Sequence, residues 1–355
     1  MDRFIIGTGR CGSTLLSKML DCSPEMTSIF EFFNGLPGDR RFSPQPMTAE
    51  ELWEVVTAPH PFVTEVLRRG YEVEEVAYPF DQVGARFSRQ DALPWILVAT
   101  LPRMSEDPDR FFDETRSFVM AQPTQSPTEH YRDLFAWFAA RNSATMWNER
   151  SGSGIDSAEE LAAAFPEGRF LHIHRDGTEA ALSMREHAAF RLAVTLVYDL
   201  DPDLDLVAAL SSDSPAPTSA DAFSRALARR PPAEHFGRFW SDQLAAGYRA
   251  LRWLRPEQYM EISFEDLVGS PGETLGEISK FFAMDPDLGN WRREAAGLVR
   301  GFPPSRVPAL SGPERVALEE VCRTGNLLLG REPSVREAAG DRQADLAGEV
   351  GRNGP

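Results

Sequence analysis

The chain has 355 residues, 42% hydrophobic and 26% charged, an ordinary balance for a soluble globular protein that can bury a sizeable core. Its net charge of −17 excludes nonspecific nucleic-acid binding, so any anionic ligand must be held by a local cluster of arginines. No apolar run approaches the about 20 residues that span a membrane, and three cysteines without a CxxC pair point to a reducing, cytoplasmic setting.

Phe4-Ile5-Ile6 reads as a buried parallel strand, so near the start that no signal peptide is expected before it. Gly7, Gly9 and Gly12 punctuate the loop that follows, and Leu15, Leu16, Met19 and Leu20 set the apolar face of a helix that Ser13 or a neighbour caps. Such a turn aims backbone N–H groups and a positive helix end at one point, which makes an anion site. Three readings of the loop stay open. Gly7-x-Gly9-x-x-Gly12, with Glu31 downstream, matches the fingerprint of a Rossmann-type NAD- or FAD-binding oxidoreductase. Gly7-x-x-x-x-Gly12-Ser13-Thr14 nearly matches a nucleotide P-loop, with Ser13 where its lysine belongs. Arg10 inside the turn suits a tetrahedral oxyanion, gripped by two parallel hydrogen bonds and helped by the Ser13 and Thr14 hydroxyls. A phosphatase-like loop would want an arginine where Ser17 stands, so Cys11 reads as a small loop residue, although an anion loop can depress a thiol's pKa.

Met26–Phe30 reads as the second strand, with Glu31 at its carboxyl end. Residues 34–145 do not alternate strand and helix. Helical patterns run over Ala49–Thr57, Phe62–Arg69, Leu93–Thr100, Pro108–Met120 and Thr128–Arg141, the last opened by the start signal Ser126-Pro127-Thr128-Glu129. This insertion is expected to form a lid and acceptor-binding region. Ala144–Glu149 reads as the third strand, ending at Arg150-Ser151-Gly152-Ser153-Gly154, and Ser157 as the cap of a helix through Phe165. Phe170–His174 is a further buried strand, followed by Arg175 and a helix that carries Ser183. In an open parallel sheet both polar loops reach the same edge, so Arg175 and Ser183 offer a second anion grip beside the first.

Residues 199–233, rich in Asp, Ser, Ala and Pro, are expected to be irregular and mobile, with one short helix. Glu234–Leu254 is a strongly amphipathic helix, Tyr259–Ile262 the last strand, and Gly272–Ala283 and Pro313–Leu329 closing helices. Residues 331–355 read as a disordered tail, leaving one domain over 1–330. The histidines show no metal spacing, and no metal is expected. The fold class is α/β, a three-layer P-loop-like fold in which helices flank a central parallel sheet.

Three motifs together resemble the sulfotransferase family that uses 3′-phosphoadenosine 5′-phosphosulfate, PAPS. They are Gly9-Arg10-Cys11-Gly12-Ser13-Thr14-Leu15-Leu16, Arg175-Asp176-Gly177 through Ser183, and Ile262-Ser263-Phe264-Glu265-Asp266-Leu267. The resemblance implies that the first motif, from Gly9 to Leu15, holds the 5′-phosphosulfate. It implies that Arg175 and Ser183 hold the 3′-phosphate, and that Arg150 lies near the transferred group. Arg10 fits the bacterial and tyrosylprotein-type side of the family, where cytosolic animal members have lysine. Those animal members use a histidine base, absent from Asn148 to Gly154; other branches use a glutamate after the second strand, which Glu31 resembles. The implied activity moves a sulfuryl group from PAPS to a hydroxyl or amine of a small-molecule or carrier-bound acceptor. Glu31 is then the base, with His60 and His130 as fallbacks from the insertion.

Overall fold

Five short strands form one parallel sheet. They are β1 (Arg3–Ile6), β2 (Met26–Phe30), β3 (Met146–Arg150), β4 (Arg169–His174) and β5 (Tyr259–Ser263), in the order β2-β3-β1-β4-β5. The computed structural model describes residues 1–211, 218–286 and 289–331. The central strand β1 is buried on both faces, as its continuous apolar run requires. Alternate residues then feed two cores. Phe4 and Ile6 join Phe170, Phe165 and the aromatic residues of the Pro127–Arg141 helix on one face, where Phe4 stacks on Phe170 at 5.2 Å between ring centres. Ile5 joins Leu171, Ile173 and Ile262 on the other, under the helices Ser13–Leu20 and Pro271–Phe281. Two helical layers around one sheet are the expected three-layer α/β fold.

Several helices begin where capping chemistry places them. At Ser126 the hydroxyl accepts the Glu129 N–H, and the Glu129 carboxylate accepts the Ser126 N–H, a reciprocal box that fixes the start of Pro127–Arg141. Thr48 and Glu51 do the same for Ala49–Thr57. The first helix departs from expectation: its N-cap is Gly12, and no side chain caps it. Ser157 likewise makes no side-chain cap. The pattern read as one helix over Leu93–Thr100 is a single turn, Trp95–Val98, followed by a 3₁₀ turn at Leu101–Arg103. Pro94 and Pro102 bound that turn and allow no longer helix. The third strand sits later than expected, at Met146–Arg150, because Arg150 stays in register opposite Phe30 and Ile5.

A helix not anticipated from the sequence, Ala188–Val197, follows the Ser183 helix directly, with His187 between them. In the segment 199–233 two helices are present among the described residues, Leu206–Ser211 and Ala222–Ala228, the second capped by Asp221. Arg331, the first residue of the tail expected to be disordered, pairs with Glu265 at 2.5 Å, while the rest of that tail, 332–355, lies outside the described residues. Among the described residues no helix is long and apolar enough to cross a membrane.

Candidate active site

Every loop leaving the carboxyl end of a strand opens on one edge of the sheet, and a cavity of about 640 Å³ lies there. Arg10, Glu31, Arg150, Arg175 and Ser183 all line it, although they come from four different strand ends. So do Gly9, Gly12, Ser13 and Thr14 of the first loop. Cys11 and Leu15 do not: Cys11 is fully buried in the core beneath the first helix, and Leu15 packs against the same cluster. Burial pushes the Cys11 thiol up from its ordinary pKa, so it is not the activated thiol that an anion loop can create.

The loop has the backbone of a ligand cradle. Gly12 sits at φ +92°, and a Cβ there would collide with the Phe264 ring. Arg10 and Glu31 both adopt φ +54°, a left-handed conformation uncommon for such residues. Two side chains facing the cavity are thus held by strained backbone, a feature that clusters at functional sites.

The electrostatics begin with four arginines in a chain that is acidic overall: Arg10, Arg103, Arg150 and Arg175. Arg150 is buried, lies over the Phe30 ring at 4.9 Å and pairs with Glu31. Glu31 also accepts from the Gly152 N–H at 3.0 Å and from Asn34 Nδ2 at 2.9 Å. Arg175 lies over the Phe264 ring at 4.8 Å and 3.7 Å from Glu179. Arg103 also stacks on Phe30, and burial with the neighbouring Arg150 charge lowers its pKa from the ordinary value. The Nε atoms of Arg103 and Arg150 are buried without a hydrogen-bond partner.

Arg10 does not fold over its own loop. Its Nε reaches Ser183 Oγ at 3.1 Å, so the first and second motifs meet, and its other nitrogens grip Glu74 at 2.8 and 3.2 Å. Glu75 stands 4.0 Å from Arg10 and accepts from His187 Nε2 at 2.9 Å. Burial alone would raise the Glu75 pKa, but His187 and Arg10 hold it down to about 2. His187 is buried, and its Nδ1 has no partner. Below Glu31, burial and the Glu31 charge push Glu149 up to about 8, so it is protonated at neutral pH.

Of the fallback bases, His60 reaches the cavity while accepting the Val63 N–H at 3.4 Å. His130 does not line it: its ring contacts the Met47 carbonyl at 2.9 Å, a helix-packing role. Arg103, Glu74, Glu75 and His187 were not among the expected site residues. Three of them come from the insertion, where no strand announces a ligand edge. His187 had only a weak signal, its place four residues after Ser183, just past the end of the Ser183 helix.

A sequence profile described as the sulfotransferase family matches residues 3–214, more than half of the chain. No curated protein sequence matches. Among solved structures, sulfotransferase STF9 from Mycobacterium avium is 17% identical, with a TM-score of 0.43 over 93% of this chain and 77% of that one. A sulfotransferase domain from the curacin biosynthetic pathway is 14% identical, with a TM-score of 0.43 over 93% of this chain and 98% of that one. A sulfotransferase from Alicyclobacillus acidocaldarius is 16% identical, with a TM-score of 0.38 over 94% and 97%. These structural likenesses are distant, and the family assignment rests on the sequence match.

Proposed function

This chain belongs to the sulfotransferase family, and from that premise we propose that it moves the sulfuryl group of PAPS to an acceptor hydroxyl or amine, releasing PAP. One observation carries the reading. Arg10 of the first loop and Ser183 of the second motif, 173 residues apart in sequence, meet at 3.1 Å on the rim of one arginine-lined cavity. The residues fit a polyanionic co-substrate, because Arg10, Arg103, Arg150 and Arg175 all line the cavity beside a glycine cradle in which a Cβ at Gly12 would collide with Phe264.

The first loop, with Arg10, Ser13 and Thr14, would hold the 5′-phosphosulfate on the positive end of the Ser13–Leu20 helix. Arg175 and Ser183 would hold the 3′-phosphate. The acceptor oxygen attacks sulfur as the bond from sulfur to the 5′-phosphate oxygen breaks, and the proton leaves the acceptor. Arg10 and Arg150 would neutralise the charge that grows on the transferring and leaving oxygens. Glu31 would take the proton, fixed in place by Arg150, Asn34 and Gly152. A second reading of the base has its own observation. His187 keeps Nδ1 unpartnered while Glu75 holds Nε2, the arrangement of an imidazole oriented by a carboxylate. The unit would be residues 1–330, acting in the cytoplasm, with 34–145 as the acceptor-side lid.

The alternative of a dinucleotide oxidoreductase loses its ribose-binding acid, because Glu31 is tied to Arg150. Calorimetric titration of the protein with PAP and with NAD tests the reading. Binding of PAP without binding of NAD is expected; preference for NAD would overturn it.

A further inference from the structure

Resting on the sulfuryl-transfer reading, we infer that the acceptor is an alcohol carried on an uncharged, apolar body. That body lies in a limb of the cavity between the helices Pro61–Arg68 and Ala188–Val197. The cavity has two kinds of wall. At the strand ends it is lined by arginines and carboxylates; away from them it is lined by Phe62, Val63 and Val66 on one side and Phe190, Ala193 and Leu196 on the other. The two helices pack together, which closes the limb on two sides.

Among the described residues, these two helices send only apolar side chains into the cavity; their charged members, Glu65, Arg68 and Arg191, do not line it. The polar groups that border the limb, His60 at the N-cap of Pro61–Arg68, His187 with Glu75 just before Ala188–Val197, and Arg10 with Glu74, would form its junction with the anion half. One hydroxyl at that junction can reach both the transferring group and a base. Further along the limb a sugar's hydroxyls or a peptide's charges would lose water and gain no partner, a cost that an apolar body avoids. At the outer end Leu196 and Val197 are 38% and 59% exposed, so the limb is open and its apolar wall faces solvent. A body of this chemistry would cover those two residues.

The test uses the whole protein, radiolabelled PAPS and two acceptor sets, straight-chain primary alcohols such as octanol and decanol against methyl glucoside. PAP binding is measured first by calorimetry, since its absence overturns the sulfuryl-transfer reading and this proposal with it. Once PAP binding is established, kcat/KM with PAPS as donor is expected to rise with alkyl length and to exceed that for methyl glucoside by about tenfold or more. The variant Ala193→Lys places a charge inside the limb. Leu196→Glu places one at its exposed mouth, where folding is not at stake. Both are expected to lower kcat/KM for decanol by about tenfold and to leave PAP affinity unchanged. Equal or better transfer to methyl glucoside, no transfer to any alkanol, or a Leu196→Glu variant with unaltered decanol transfer would overturn the acceptor class while leaving the co-substrate reading in place.

Discussion

Arg10 shows how much of the chemistry rests on single side chains. It is strained at φ +54° and engaged by Glu74 and Ser183, so a bound phosphosulfate must displace an existing ion pair. Glu74 is largely exposed, and such pairs are worth only about 0.2–1 kcal/mol. Glu74→Gln is therefore expected to tighten PAP binding by roughly twofold to fivefold in calorimetry; weaker binding would show that Glu74 supports the site instead of competing for Arg10. The base is decided by a pair of variants. If Glu31 takes the proton, Glu31→Gln lowers turnover by about 10²–10⁴-fold with PAP affinity kept, while His187→Gln stays close to wild type. The reverse pattern assigns the proton to His187.

At the scale of elements, the strands and their exits were readable because each carries a local signal. Phe4-Ile5-Ile6 and Phe170–His174 are short apolar runs ending in glycine or arginine, and a parallel sheet leaves such exits one edge to share. Arg150, Arg175 and Ser183, which follow such exits, all line the cavity. What lacked a local signal was missed. Arg103 reaches the site from a 3₁₀ turn, and Glu74 and Glu75 from a loop, brought there only by tertiary packing.

Glu149, on β3, is a second element-scale feature that no pattern announced. Its carboxyl accepts from Ser151 Oγ at 2.6 Å and from the Phe33 N–H, and burial raises its pKa from near 4.5 to about 8. A carboxyl with a raised folded-state pKa holds its proton in the native chain while the unfolded chain has lost it. Stability from this group is therefore full below about pH 4.5 and declines as pH rises towards 8, by at most about 1.4 kcal/mol per pH unit. Glu149→Gln should flatten that decline, read from the denaturation midpoints at pH 5, 6.5 and 8. An unchanged slope would mean that Glu149 is ionised in the folded protein.

At the scale of the whole molecule, a chain of net charge −17 has gathered four arginines around one cavity. Its overall field repels a polyanion, so binding must come from the local cluster, and specificity from which phosphate each arginine meets. The central claim is that Arg175 and Ser183 meet a 3′-phosphate. The direct measurement is the affinity of PAP against AMP in the wild type and in Arg175→Ala. Charge-assisted hydrogen bonds worth about 1.5–3 kcal/mol predict that PAP binds about tenfold to a hundredfold more tightly than AMP, with most of that ratio lost in the variant. Equal affinities for PAP and AMP in the wild type would contradict the account.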